Sequence, residues 1–219
     1  MLAPATSPTR VRLVTPAIPQ EVSVGAPSCE PLLQYELLKA LSHLSPSLYE
    51  QASRECGLTL DQAHALVKRG EIVSAARAMR LARLIAHQSN SNEIFSEAGR
   101  SLFTTLYHRL PLLLRMMMRA LPRSLRTRLA LLTTRHMAHS FAGGSGHVTV
   151  LRQRGRLYVS VADGVFSDRL ETITGAYDFY RAVFETMCQQ LARAQYKVVA
   201  VKHARARLNQ CCFEIARDA

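Results

Sequence analysis

Near residue 146 the hydrophobic period of this chain changes, and no other feature limits the possible folds so strongly. Before that point apolar residues recur every three or four positions, as in Leu33, Leu37, Leu41 and Leu44. Such spacing places side chains on one face of a helix. After "GGSG" at 143–146 the segments "HVTVL" and "RLYVSV" alternate, with Arg154 and Gly155 at a hairpin turn. A helix is expected over about 175–194, where Tyr180, Val183, Phe184, Met187 and Leu191 form the buried stripe. Two further strands, "YKVVAVKH" and "CCFEIA", close the chain. Helices followed by a ββαββ unit define an α+β class, with an antiparallel sheet and helices packed on it.

Residues 1–29 hold five of the nine prolines and no helical period, so a disordered Pro-rich tail is expected there. Residues 30–219 then form one domain, with a helical part over 30–142 and the ββαββ part over 146–217. The first helix starts near Pro31 and is closed by Pro46. A long helix is expected over 60–87, weakened at "RGE" (69–71), and another over 92–108. Pro111 and Pro122 open two more, to Ala120 and to about Phe141; proline is tolerated in a first helical turn because its missing N–H has no helical partner. On the last of these, Leu125, Leu129, Leu132, His136 and His139 share one face and are expected to be its buried stripe.

The chain carries a net charge of +12, and its charges are unevenly spread. Between Glu97 and Asp163 there is no carboxylate, but there are eleven arginines and four histidines. A stretch with no local neutralisation must carry positive potential, so an anionic partner is expected. Nucleic acid is not, because aromatics that could stack on bases are sparse in this zone. The five cysteines show no CxxC spacing, which excludes a disulfide framework or zinc ribbon. No continuous apolar segment opens the chain, and "LPLLLRMMM" is too short to span a bilayer. A cytoplasmic location is expected, with a peripheral position at the inner membrane as an alternative. No P-loop, GxSxG, HExxH or dinucleotide loop occurs. Catalytic residues and any metal ligands are therefore unassigned.

The candidate binding residues come from this zone and the following helix. Met116 and Met117 offer flexible, polarizable walls. Arg115 and Arg119, four apart, offer guanidinium groups for carboxylates, a membrane interface or the rim of an apolar cleft. His136 and His139 reach for a metal or a flat ring, or simply close a helix end by interacting with its dipole. Phe141, Tyr180 and Phe184 complete the set.

A Leu/Pro/Arg-rich helical pair leading into "SFAGGSG", an alternating hairpin, "YDFYRAVFETMCQQL" and a closing "CCFEI" together resemble the 4-vinyl reductase domain family, in its bacteriochlorophyll-biosynthesis branch. The resemblance covers about residues 95–216. It departs at His139, where many members carry Trp, and at Ala204, where relatives often carry a second Cys. It implies a Mg-porphyrin or chlorophyllide ligand and either reduction of its vinyl group or non-catalytic carriage. The implied partners are bacteriochlorophyll-pathway enzymes, with a peripheral anionic membrane contact and a homodimer left open. The alternative reading is a sensor or regulatory module for a small apolar ligand.

Overall fold

The structure is a computed structural model, and it describes residues 28–137, 140, 142, 146–153, 156–166, 175–193, 196–201 and 210–217. Its helical half begins with α1 (Pro31–Leu44), which opens on Pro31 as expected. Pro46 ends α1 and also starts α2 (Pro46–Cys56), a helix that the leucine spacing did not reveal. The expected long helix is two helices, α3 (Leu60–Arg69) and α4 (Ala75–Ala86). The break has a backbone cause: Gly70 closes α3 with φ 66°, a left-handed conformation that favours glycine. Each helix also has its own N-terminal signal. At α3 Thr59 and Gln62 form a reciprocal capping box, and at α4 the Ser74 hydroxyl accepts from the Ala76 N–H. Between the two helices, β2 (Val73–Ser74) pairs antiparallel with β1 (Ser28–Cys29), at the edge of the expected tail.

Helices α5 (Ser91–Arg109), α6 (Leu112–Ala120) and α7 (Arg123–His136) complete the helical half. The second half is an antiparallel four-stranded sheet of β3 (His147–Gln153), β4 (Arg156–Ala162), β5 (Tyr196–Ala200) and β6 (Gln210–Arg217), in the order β3-β4-β6-β5. The α+β class therefore stands. Helix α8 (Gly175–Met187) lies between β4 and β5 in the chain and runs into a π-helical turn at Cys188–Ala192. That turn ends at Arg193, a non-glycine residue with φ 49°.

The two halves meet where α5 packs along α8, and two glycines set how closely. A Cβ on Gly99 would collide with the Phe179 carbonyl oxygen, and one on Gly175 with the Phe95 ring. Around this contact Phe95, Phe103, Phe166, Phe179, Tyr180, Phe184 and Phe213 are almost wholly buried. Burial of such side chains is worth roughly 1.5–3 kcal/mol each, so this seam is where most of the driving force for joining the halves resides.

Among the described residues the helical half carries one buried carboxylate. Glu36 of α1 is fully buried and accepts from Ser101 Oγ at 2.6 Å and Thr105 Oγ1 at 2.8 Å, with Lys39 Nζ 3.6 Å away. A buried carboxylate is tolerated when hydrogen bonds replace its water. Here they fix α1 against α5.

The orientation of α7 differs from the sequence expectation. Its buried side chains are Ala130, Leu131, Thr133 and Thr134, whereas Leu125 and Leu132 are 48% and 55% exposed and His136 is exposed. The face meeting the rest of the protein thus joins one leucine, Leu131, to small and hydroxyl-bearing residues. Thr134 Oγ1 bonds back to the Ala130 carbonyl at 2.8 Å, which lets a polar side chain sit in the core. The expected Leu125–Leu129–Leu132–His136 stripe faces solvent instead, apart from the partly buried Leu129.

Candidate functional site

The sequence-derived candidates fall into an interior group and a surface group. Tyr180 and Phe184 are interior, on α8. Phe184 packs on Phe213 of β6 at 5.6 Å between ring centroids. Tyr180 lies against Phe179 at 5.3 Å and Phe166 at 6.0 Å, and Phe166 in turn meets Phe95 of α5 at 6.0 Å. Phe95, Phe166, Phe179 and Tyr180 thus form one aromatic cluster where α5 meets α8, and Phe184 with Phe213 forms a second between α8 and the sheet.

Within the first cluster the Tyr180 hydroxyl is buried and has no hydrogen-bond partner of good geometry among the described residues. Burial raises its pKa well above the ordinary value of 10, the Cys211 thiol adds to the rise, and a backbone hydrogen bond from Phe166 offsets part of it. The group is a neutral phenol whose proton has no acceptor among the described residues. An unsatisfied buried hydroxyl costs roughly 1–3 kcal/mol, so it calls for a physical reason. Three buried thiols behave alike: burial pushes Cys211 and Cys188 up to about 12, and Cys29 up to about 11. None of them is a thiolate at neutral pH, which removes them as nucleophiles.

The surface group lies on α6 and α7. Met116 and Met117 are exposed, as is Arg119, while Arg115 is half-buried. Arg115 sits over the Tyr107 ring at 5.6 Å, a cation–π distance, with Nη1 3.5 Å from His108 Nδ1. The buried methionine of α6 is Met118. His136 is exposed at the end of α7, and His139 and Phe141 lie outside the described residues. The described candidates are thus not gathered into one pocket. The sequence reading missed Phe166, Phe179 and Cys211 around Tyr180. The signal for Cys211 was its place on an alternating strand, but for Phe166 only the short "DGVF" turn could have hinted at it.

The potential metal ligands are dispersed. All six described histidines, His43, His64, His87, His108, His136 and His147, are exposed. Among the described residues no three His, Cys, Asp or Glu side chains converge as a metal site would require. No helix among them is long and apolar enough to cross a membrane.

The fold has solved counterparts. The Fe(II) unliganded H-NOX protein from K. algicida superposes with a TM-score of 0.51 at 10% identity, over 87% of this chain and 97% of that one. A single-site mutant of the same protein gives a TM-score of 0.52 at 10% identity, with the same coverage. A double mutant of an H-NOX protein designated Tt aligns over 87% of this chain and 95% of its own at 15% identity, with a TM-score of 0.48. No family model matches the chain, and no curated protein matches it significantly. The chain therefore has an H-NOX-like fold. These findings correct the resemblance to the 4-vinyl reductase family, and with it the implied roles in bacteriochlorophyll biosynthesis, photosynthesis and vinyl reduction.

Proposed function

We propose that this chain is a sensory or regulatory binding module that uses an H-NOX-like scaffold to hold a small, largely apolar effector. The observation that carries the reading is the Tyr180 hydroxyl, a buried donor without an acceptor among the described residues, in the aromatic seam that joins the two halves of the fold. A ligand with one acceptor atom and an apolar body would satisfy it. A molecule bound at that seam could also bias how the halves pack, which is what a sensor needs.

The H-NOX neighbours are haem nitric oxide/oxygen-binding proteins by name, so a tetrapyrrole is compatible with the scaffold, whereas the expected magnesium form has no such support. Haem iron needs an axial donor, most often a buried imidazole, a thiolate or a phenolate. Here the described histidines are exposed, the buried thiols stay protonated, and Tyr180 is a neutral phenol. The described residues do not fit a resident haem, and the reading rests on no iron chemistry.

The test is a thermal-shift series with short-chain ketones and ethers, on wild type and on Tyr180→Phe. A ligand-dependent rise in Tm in wild type that is lost in the variant is the expected result. No rise with any probe, or an equal rise in both proteins, would remove Tyr180 as the polar contact.

A further inference from the structure

We infer that α6 is a docking helix for an anionic phospholipid surface, a role independent of whatever the core binds. The helix is held by little. Met118 is its one buried side chain, with Leu114 partly buried beside the core. Its C-terminal end is fixed by Arg126 of α7, whose Nη2 donates to the Arg119 carbonyl at 3.0 Å and to the Leu121 carbonyl at 2.8 Å. This guanidinium occupies carbonyls that would otherwise lack partners, so α6 keeps its shape while most of its surface stays outside the core.

That surface is apolar. Leu112, Leu113, Met116 and Met117 are between 56% and 75% exposed. At 100° per residue they cover an arc of about 140°. Arg119 borders the arc beside Leu112, and Arg115 follows at the next helical step. Four large apolar side chains in one exposed patch are costly unless something covers them.

Charge selects what covers it. The patch lies inside the stretch from 98 to 162, which contains eleven arginines and no carboxylate. Exposed Arg109, Arg119, Arg128 and Arg135 belong to it. A second copy docking by the same face would bring these cations together, which opposes self-pairing. An anionic bilayer matches both features: leucine and methionine enter the acyl boundary while arginine reaches the headgroups. The patch is a convex helix face, not a groove shaped for a peptide.

The test is flotation of the full chain with vesicles of phosphatidylcholine alone or mixed with phosphatidylglycerol. Wild type should float with the mixed vesicles and bind phosphatidylcholine at least about tenfold more weakly, and raised salt should weaken the binding. The double variant Leu113→Ser, Met117→Ser should lose about tenfold or more on mixed vesicles with an unchanged far-UV CD spectrum. Arg119→Glu should lose several-fold on mixed vesicles and nothing on phosphatidylcholine; its side chain is exposed, so it decides the matter if the double variant unfolds. No flotation of wild type, or equal binding by the double variant, overturns the inference. So does a concentration-dependent dimer that the double variant abolishes without any vesicle binding, which would assign the face to a second copy.

Discussion

Replacing Tyr180 by Phe removes a single oxygen atom, and the structure predicts that the ligand-free protein becomes more stable. Most buried tyrosines behave the other way, because their hydroxyl makes a hydrogen bond worth about 0.5–1.5 kcal/mol that the variant loses. Here the hydroxyl proton has no acceptor among the described residues. Deleting it recovers the cost of a desolvated, unsatisfied group, roughly 1–3 kcal/mol. Against this stand the weak backbone hydrogen bond that the oxygen accepts from Phe166 and the dispersion contacts of one oxygen, each on the order of 0.1–0.2 kcal/mol. The net expectation is a gain of about 1 kcal/mol. For a chain of this size that corresponds to a Tm higher by roughly 2–4 °C. Urea unfolding followed by CD, with an unchanged m-value, measures it. A loss of more than about 1 kcal/mol would refute the reasoning, because it would mean that the hydroxyl is satisfied within the fold and is not held ready for a ligand. The sign is informative because groups kept at a cost in stability are common where a protein binds.

Three other perturbations follow from the same structure. Gly99→Ala places a methyl group against the Phe179 carbonyl, which belongs to a helix backbone and cannot swing aside; a loss of about 1–3 kcal/mol in urea unfolding is expected. Glu36→Ala strips the Ser101 and Thr105 hydroxyls of their acceptor and leaves a buried gap between α1 and α5, so a loss of about 3 kcal/mol by the same measurement is expected. The buried thiols give a pH dependence. Cys188 and Cys211 titrate near 12 in the folded chain, against an ordinary 9.0. Below 9 both states hold these protons and stability is complete. Between 9 and 12 the unfolded chain loses them and the folded chain keeps them, so stability falls by up to about 1.4 kcal/mol per pH unit for each thiol. Urea midpoints at pH 8, 9 and 10 should be flat at first and then decline.

How far the sequence foretold this depended on whether a residue's setting was local. The alternating strands after residue 146 and the prolines that open α1, α6 and α7 act through their own backbone, and the α+β class followed from them. The split between α3 and α4 was also local, in Gly70 and the Thr59–Gln62 box, but the run of Ala and Leu over 60–87 masked it. The face of α7 was not local. Its leucine spacing is as regular as any buried stripe, but Ala130, Thr133 and Thr134 allow close approach to the rest of the protein and so face inward. The same holds for α6, where apolar residues encircle much of the helix and only packing shows that Met118 is the inward one. The aromatic seam joins α5, α8 and β6, three segments far apart in the chain, and no window of sequence contains it. The likeness to the vinyl reductase family rested on short motifs, of which "SFAGGSG" lies largely outside the described residues. A shared order of elements does not carry function with it.

The central claim is that an H-NOX-like fold here serves as a binding module whose described residues offer no axial ligand for a resident haem. Titration of the purified full chain with ferric haem, followed at the Soret band and by haem retained per chain after gel filtration, tests it most directly. The account predicts a weak, non-saturating change with less than one haem retained per chain, unaltered by His136→Ala. A saturable one-to-one Soret shift with haem retained through the column would contradict it and return an iron-holding role to this chain.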